Sequence, residues 1–307
     1  MRVPGRPWHA QLVHATRHTM SDELTLSSGA MRCTILPALG GSIAGLWFDG
    51  IAVLRESPLA GFSSVREVGS YPLLPFSNRV GHASFLWDHT RYTLLPNFPP
   101  EPHAIHGVAW QRAWTVVLAD AQSATLALAH PGDEGWPFAF DGVQEFRLGD
   151  AGLSLQMSAS NRCAHAVPMG LGWHPYFAKR PHSHIRFRAT GRWDMGEDKL
   201  PTQRRGAVGL DTDCAELDVD HCFDGWEGTL QLCDEQLQTS IRSSLRHLVV
   251  FTHPTRNFVA IEPVSHVNNA IQLAADRGCP LQDLGLSVLQ PGESLTADMA
   301  IAVQRAD

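Results

Sequence analysis

The chain has 307 residues, of which 44% are hydrophobic and 18% charged, and its formal net charge is −7. This composition is enough for a large buried core and argues against disorder over most of the chain. The acidic balance, without a basic stripe, argues against nucleic acid as the partner. No apolar run approaches the length of a membrane span, so we also expect no membrane partner.

The N-terminal segment and the cysteines bear on the cellular compartment. Residues 1–22 contain scattered arginines and histidines and lack the apolar region of a signal peptide. We therefore expect a loosely ordered tail over residues 1–22 and a cytoplasmic protein. The six cysteines follow no Cys-x-x-Cys or metal-binding spacing, so free thiols in a reducing compartment are expected.

Short alternating or apolar stretches predict β-strands along the whole chain. In chain order they cover residues 23–28, 31–36, 45–48, 84–87, 91–95, 113–119, 124–130, 138–148, 153–159, 184–189, 229–232, 248–251, 258–261, 286–289 and 295–303. Asp49 and Gly50 predict a hairpin turn, and Asp141 and Gly142 predict a turn or bulge. The best helical pattern covers residues 267–275.

About fifteen predicted strands, separated by Gly, Pro, Asn and Asp, favour packed antiparallel sheets. They are too many for a small sandwich or one open sheet, so we predict an all-β protein. Its residues 23–307 are expected to form one domain, a large antiparallel two-sheet β-sandwich. Two long segments, 57–81 and 191–228, are predicted to be irregular loops of the kind that carry binding residues.

Three residues stand out as candidates for proton transfer. Glu262 is a lone carboxylate at the end of an apolar stretch, and Pro263 follows it. His106 and His174 lie in equally distinctive settings, Ala-Ile-His-Gly and Gly-Leu-Gly-Trp-His-Pro-Tyr-Phe. One carboxylate and two imidazoles suffice to move protons at neutral pH. This set predicts an enzyme that acts on a polyhydroxylated small molecule.

Further residues are candidates for substrate binding, each with a plain structural alternative. Arg79, with Asn78 beside it, offers several donors to neighbouring hydroxyls, but a surface salt bridge explains it equally. Trp173 and Tyr176 flank His174 and suit a pocket that stacks on a sugar ring, although a core histidine is the commoner situation. Asp220 lies in an acidic segment and suits sugar hydroxyls.

The same segments contain residues that we interpret as structural. Asp218 and Asp224 flank Asp220, and we interpret both as part of a solvated acidic loop. His103 and His106 are three residues apart, which resembles a metal pair. On a strand this offset places them on opposite sides, and no third ligand is spaced to complete the shell, so no metal is predicted.

Taken together, six segments resemble the aldose 1-epimerase (galactose mutarotase) family. They are Asn78-Arg79-Val80, Ile105-His106-Gly107, His174-Pro175-Tyr176-Phe177, Asp220-His221-Cys222-Phe223, Ile261-Glu262-Pro263 and Leu289-Gln290-Pro291-Gly292-Glu293, in the order of the family. The resemblance covers roughly residues 25 to 303. It implies a large β-sandwich of the galactose-mutarotase type (a supersandwich), with no metal and no organic cofactor.

The resemblance also implies a role for each residue. Glu262 is expected to be the general base that takes the proton of the C1 hydroxyl, and His174 the general acid that protonates the ring oxygen. His106 is expected to hold the substrate near C1, while Arg79 and Asp220 grip the sugar hydroxyls. The chain departs from the family in having one glycine after His106 and a tryptophan before His174, which leaves the sugar preference open.

The predicted function is therefore the interconversion of α and β anomers of a free aldose such as galactose or glucose. With an ordinary carboxyl pKa of about 4.3, Glu262 is expected to be ionised at neutral pH without any special shift. The expected partner is a monosaccharide, and the protein a monomer or homodimer.

Three alternatives stay open. A hexose-6-phosphate 1-epimerase would need several cationic side chains around the phosphate, and only Arg79 is apparent. A glycoside hydrolase would need two facing carboxylates, for which Glu262 and Asp220 are the only pair. A non-catalytic carbohydrate-binding protein would not depend on Glu262.

Overall fold

The computed structural model describes residues 23–56 and 64–306. The predicted tail over residues 1–22 lies outside the described residues. No helix within the described ranges is long and apolar enough to cross a membrane.

The first described segment forms a four-stranded antiparallel sheet. Its strands follow the chain order as β1 (Leu24–Ser28), β2 (Met31–Leu36), β3 (Ser42–Phe48) and β4 (Ile51–Ala52). The predicted hairpin is confirmed: Asp49 and Gly50 have φ of 50° and 76°, which gives the left-handed turn that joins two twisted strands.

The remaining strands follow in chain order. Up to residue 178 they are β5 (Pro72–Leu73), β6 (Arg79–Val80), β7 (Ser84–Trp87), β8 (Thr90–Thr93), β9 (Ala104–Ile105), β10 (Thr115–Ala119), β11 (Ser123–His130), β12 (Phe140–Gly149), β13 (Gly152–Asn161), β14 (Val167–Met169), β15 (Gly172–Trp173) and β16 (Tyr176–Ala178). They continue as β17 (His184–Phe187), β18 (Gly191–Met195), β19 (Pro201–Gly206), β20 (Leu210–Asp213), β21 (Val219–Asp224), β22 (Thr229–Cys233), β23 (Leu237–Ser243), β24 (His247–Thr252), β25 (Phe258–Val264), β26 (Ser287–Leu289) and β27 (Ser294–Arg305).

Helical structure among the described residues is short. The α-helix α1 covers Ala270–Arg277, and single 3₁₀ turns cover Val65–Glu67, Gly81–Ala83, Ala109–Gln111 and Leu281–Leu284. The predicted helix over 267–275 is thus present but begins three residues later. It ends at Gly278, whose φ of 62° is the left-handed conformation that terminates many helices.

A nine-stranded antiparallel sheet forms one layer, in the order β10-β11-β12-β13-β27-β23-β22-β17-β20. Its long central strands alternate between buried and more exposed residues, as β12 does along its whole length. This alternation is typical of a strand with one face on the core. The predicted interruption at Asp141 and Gly142 is wrong, because both pair in unbroken register with β13.

An eight-stranded sheet forms the other large layer and positions the candidate site. Its order is β19-β18-β21-β24-β25-β15-β5, with β16 also paired to β25. All seven residues of β25 are buried. The prediction of an irregular loop over 191–228 is wrong, because four strands of these two sheets cover much of this segment. The exposed faces of these strands carry charged residues, so the segment has the polar composition of a loop. The all-β sandwich prediction is confirmed.

Candidate active site

The register of the eight-stranded sheet brings His174 opposite Glu262. On β25, Val264 pairs with Gly172 of β15, and Ala260 pairs with Tyr176 of β16. His174 lies midway between those two partners, just as Glu262 lies midway between Ala260 and Val264. Antiparallel partners have side chains on the same face. The His174 Nε2 atom is accordingly 3.1 Å from Glu262 Oε1.

Two tyrosines hold the His174 ring from the sides. The pairing of Gly172 with Leu73 continues to Tyr71, whose carbonyl accepts the His174 N–H at 3.0 Å. The His174 ring centroid is 4.7 Å from that of Tyr71 and 4.4 Å from that of Tyr176. The two hydroxyls are 3.2 Å apart, and the Tyr176 hydroxyl is 3.5 Å from His174 Nε2. His174 therefore has little freedom to rotate.

His106 reaches the same place from the short β6–β9 ladder. Its ring centroid is 5.0 Å from that of His174, at 82° between the planes. Its Nδ1 accepts the backbone N–H of Asn78 at 3.1 Å, so the neutral ring carries its hydrogen on Nε2. The residue has φ of 63°, a conformation that non-glycine residues adopt rarely and often at functional sites.

Gly107 makes this turn possible because it lets the backbone pass close to Leu74. Its φ is 69°, and a Cβ there would lie 2.2 Å from the Leu74 carbonyl oxygen. Only glycine allows the backbone to pass that close. The Gly107 backbone thus packs against Leu74, and this contact places His106 beside His174.

Burial sets the protonation of the three candidate catalytic side chains. Glu262 is 2% exposed, and burial, followed by the charge of Asp220, raises its pKa well above the usual value. Burial also lowers the pKa of His174 well below 6.5, with further contributions from His106 and Arg55. Burial lowers the pKa of His106 to about 3. The expectation of an unshifted pKa for Glu262 is therefore wrong, because the carboxyl is desolvated.

Glu262 and His174 are close enough that the protonation of one depends on the protonation of the other. The raised carboxyl pKa and the lowered imidazole pKa both favour the uncharged form of the pair, in which the one proton that the two groups share lies on Glu262. The second carboxyl oxygen of Glu262 and the Nδ1 of His174 are buried without a hydrogen-bond partner among the described residues. An unpaired buried carboxyl oxygen is an acceptor available to a ligand hydroxyl.

Arg79 lies beside His106 and is fixed by two neighbours. Its Nε and Nη2 donate to the carboxylate of Glu101 at 2.7 and 2.9 Å, and its Nη1 donates to Asn78 Oδ1 at 3.2 Å. Of the five N–H groups of a guanidinium, about two remain for a ligand. Lys199 also contacts Glu101, at 3.5 Å. The second cation that the sequence did not indicate is therefore Lys199.

Asp220 joins the site through the strand order. Cys222 of β21 pairs with Val249, and Val249 pairs with Glu262, so these three side chains share one face. Asp220 is two residues from Cys222 and shares that face. Burial raises the pKa of Asp220, and the positive charge of Arg79 opposes this. Asp218 lies outside the strand and is exposed, in keeping with its interpretation as a solvated residue.

Two residues differ from their predicted surroundings. Trp173 neighbours His174, so strand alternation directs it to the opposite face of the sheet, where it is 2% exposed. The structure does not bring its ring to the cluster. Asp224 is not a solvated loop residue: Arg204 binds it through two bonds of 2.7 Å, and Trp193 through another. These last three residues line a separate cavity of about 450 Å³.

Sequence reasoning missed three residues of the cluster. Tyr71 was hidden in the segment interpreted as a loop over 57–81, although a tyrosine before Pro-Leu-Leu is compatible with a short buried strand. Glu101 and Arg55 carry no local signal, since their importance depends on Arg79 and Tyr176, which lie far away in the sequence. The guanidinium carbon of Arg55 is 3.5 Å from the centroid of the Tyr176 ring.

Solved structures share this architecture. A candidate aldose 1-epimerase from Escherichia coli K12 superimposes with a TM-score of 0.83 at 26% identity, covering 92% of this chain and 99% of that one. A galactose 1-epimerase from Lactobacillus acidophilus NCFM is 14% identical, with a TM-score of 0.76 and coverage of 95% and 98%. The fold is therefore the β-sandwich of the galactose-mutarotase type that the sequence predicted.

Sequence comparisons cover almost the same length. The uncharacterized protein YphB of E. coli K12 is 28% identical over 297 residues, covering 91% of this chain and 98% of that protein. The uncharacterized protein YihR of the same organism is 27% identical over 281 residues, covering 84% and 89%. The family model for aldose 1-epimerase matches residues 22–302. The chain therefore belongs to the aldose 1-epimerase family.

Proposed function

We propose that the protein interconverts the α and β anomers of a free aldose of the galactose or glucose type. The observation that carries this proposal is the 3.1 Å contact between Glu262 and His174, with the His106 ring 5.0 Å from His174. Membership of the aldose 1-epimerase family supports an isomerase. The cluster combines a proton acceptor, a proton donor and a neutral hydrogen-bond donor, as this reaction requires.

Ring opening needs two coordinated proton transfers. In the form of the pair that reacts, the shared proton lies on His174 and Glu262 is a carboxylate. The carboxylate takes the proton of the C1 hydroxyl while His174 gives its Nε2 proton to the ring oxygen. The electrons of the bond between C1 and the ring oxygen move to that oxygen, and the C1 carbonyl forms. Because one proton leaves and one arrives, neither full oxyanion is required, and each positioned group typically contributes ~10²–10⁴-fold.

Ring closure reverses these transfers on the other face of the carbonyl. After opening, Glu262 is protonated and His174 is neutral, which is the distribution that burial favours. Rotation about the C1–C2 bond exposes the opposite face, and the C5 hydroxyl then attacks C1. His174 takes back its proton and Glu262 returns its own to the C1 oxygen. The pair holds one proton throughout and needs no external acid or base.

His106 acts as a neutral donor in this scheme. Its pKa of about 3 keeps the ring uncharged at physiological pH, and its Nδ1 is occupied by the Asn78 N–H. The Nε2–H is thus free to donate to the C1 oxygen as negative charge develops there. A neutral imidazole does this without adding a second cation beside His174.

Arg79 and Asp220 are suited to hold the sugar hydroxyls that do not react. A guanidinium with two free donors and a carboxylate with acceptor oxygens suit neighbouring hydroxyls. Trp173 and Tyr176 were expected to contribute contacts with the ring, and only Tyr176 borders the catalytic cluster. Asn78 uses its side-chain oxygen on Arg79 and its N–H on His106, which orients both residues.

The charges around Arg79 favour a neutral sugar over a hexose 6-phosphate. Arg79 and Lys199 share the carboxylate of Glu101, and Asp220 lies in their field. Two positive charges thus face two negative ones before any ligand arrives. A phosphate dianion would add repulsion from both carboxylates, whereas hydroxyls accept and donate equally well in a balanced site.

The test is the rate of anomer interconversion in freshly dissolved α-galactose and α-glucose, followed by polarimetry or NMR. Glu262→Gln and His174→Asn are expected to lose at least about a hundredfold in kcat. Asp218→Asn, an exposed carboxylate near the site, and His184→Asn, a histidine on the other large sheet, are matched controls that should keep the wild-type rate.

The same assay separates the alternatives. Wild-type activity in Glu262→Gln would exclude the proposed base. Sugar binding without acceleration across many aldoses would favour a carbohydrate-binding protein. A preference for glucose 6-phosphate over glucose would favour the phosphosugar enzyme, and release of aryl leaving groups from glycosides would favour a hydrolase that uses Glu262 and Asp220.

A further inference from the structure

Arg55 is a cation next to the catalytic cluster, and it takes no part in the proton transfers proposed above. It follows β4, and its guanidinium carbon is 3.5 Å from the centroid of the Tyr176 ring. Its Nε donates to the Val68 carbonyl at 3.0 Å, and its Nη2 donates to the Arg66 carbonyl. Two backbone carbonyls therefore hold the guanidinium over the Tyr176 ring, where cation–π attraction acts.

The Tyr176 ring contacts both the Arg55 guanidinium and the His174 imidazole. The Tyr176 ring also stacks on the imidazole of His174, with centroids 4.4 Å apart and planes at 29°. The Arg55 guanidinium carbon is thus at most about 8 Å from the centre of the His174 ring. In such a buried setting, a unit charge at this separation affects a titrating group strongly.

We propose that Arg55 is a positioning residue of the reaction, whose charge acts on His174 through the Tyr176 ring and makes the His174 imidazolium a stronger acid. This rests on the proposed function, in which His174 protonates the weakly basic ring oxygen. An imidazolium destabilised by a nearby cation gives up its proton more readily, which is the property that this step requires. Arg55 itself keeps its charge, because a guanidinium does not lose its proton in proteins.

The other groups around His174 do not supply this effect. Glu262 and His106 face the imidazole across the site, and the hydroxyls of Tyr71 and Tyr176 border it. Burial is the largest cause of the lowered pKa of His174, followed by His106 and then Arg55. His106 is itself neutral at physiological pH, so Arg55 is the permanent charge among these causes. Glu67 is a carboxylate in the field of Arg55.

The experiment compares the pH profiles of kcat for wild type, Arg55→Gln and Arg55→Lys. Removing the charge makes protonation easier for the whole Glu262–His174 pair. Both limbs of the bell-shaped profile should therefore move to higher pH in Arg55→Gln, by roughly one to two units. Arg55→Lys keeps the charge and should leave the limbs within a few tenths of a unit of wild type.

The direction of the two limbs distinguishes charge from packing. A variant that only loosens the site would let water in, which raises the pKa of His174 and lowers that of Glu262. The limbs would then move toward each other. The proposal would be overturned if the two limbs of the pH profile moved toward each other, if neither limb moved, or if only KM rose. Arg55→Met, an uncharged side chain that can still cover the Tyr176 ring, replaces Arg55→Gln if the latter fails to fold.

A second readout does not depend on catalysis. The His174 imidazole nitrogens, assigned by comparison with His174→Asn, can be titrated by ¹⁵N NMR in the protein without sugar. Protonation in Arg55→Gln should begin at higher pH than in wild type. An unchanged titration overturns the role of Arg55. If wild type fails to accelerate anomer interconversion while this shift is present, the proposed function fails and the coupling of Arg55 to His174 stands.

Discussion

Replacing His106 with asparagine tests whether this histidine is buried in its neutral form. His106 is 6% exposed and has φ of 63°, a conformation that asparagine adopts more easily than most residues. The asparagine side-chain oxygen can also replace Nδ1 as the acceptor of the Asn78 N–H. His106→Asn therefore removes the titrating group with little disturbance of the backbone.

The shift of the His106 pKa sets how much the free energy of unfolding depends on pH. That pKa is about 3 in the folded protein and 6.5 for an ordinary histidine. Since the folded value is the lower one, the unfolded chain binds the proton first as the pH falls. Stability is present above pH 6.5 and is lost progressively below it. Between pH 7 and pH 5 this loss from His106 amounts to about 2 kcal/mol.

Urea unfolding at pH 7 and pH 5 measures this loss. The free energy of unfolding of wild type should fall between the two pH values by about 2 kcal/mol more than that of His106→Asn. His184→Asn is a control of opposite sign. His184 lies 2.8 Å from both Asp211 and Asp213, and these bonds raise its pKa, so its stabilisation is present at low pH. Removing it should steepen the fall. Equal pH dependence in wild type and His106→Asn would refute a buried neutral His106.

Three further substitutions test other parts of the site. Glu101→Gln should raise KM for the sugar by about tenfold, because Arg79 loses its charged partner. The effect on kcat should be smaller, because Arg79 does not touch the reacting atoms. Steady-state polarimetry measures KM and kcat. Gly107→Ala should lower the free energy of unfolding by more than about 2 kcal/mol in urea, since the new methyl group would clash with the Leu74 carbonyl. Trp173→Phe should leave KM within about twofold of wild type, because the indole lies on the other face of the sheet; a large rise would restore the predicted contact with the sugar.

Much of the strand architecture could be predicted from local patterns. Strands such as β12 and β13 have one face on the core, so polar and apolar residues alternate along them. This alternation, with a period of two residues, predicts a strand. The strands within 191–228 were missed for the converse reason. β19 has one buried residue and five exposed ones, which gives no alternation to read.

The meeting of Glu262 and His174 could not be predicted from spacing. It depends on β25 pairing with both β15 and β16, and such long-range pairing leaves no mark in either segment. The family resemblance supplied what local physics could not. The partners that resemblance did not include, Tyr71 and Arg55, are those whose position depends entirely on the register around His174.

The protonation of the site was beyond sequence reasoning for a related reason. A reference pKa describes a solvated side chain, whereas Glu262 and His174 are buried, and burial disfavours the charged form of each. The direction of both shifts follows from burial alone. Burial in turn follows from β25 lying between β24 and the β15–β16 segment, near the middle of the sheet.

The position of Glu262 argues that chemistry, and not stability, maintains this carboxyl group. Every residue of β25 is buried, and the neighbours of Glu262 are apolar or proline, so packing alone would suit valine or leucine there. A buried carboxyl group with one oxygen unpaired destabilises a fold. Yet the desolvation that makes it unfavourable also raises its affinity for a proton, and a base acting on a sugar hydroxyl needs that affinity. The energetic penalty and the catalytic strength of Glu262 thus have one physical origin.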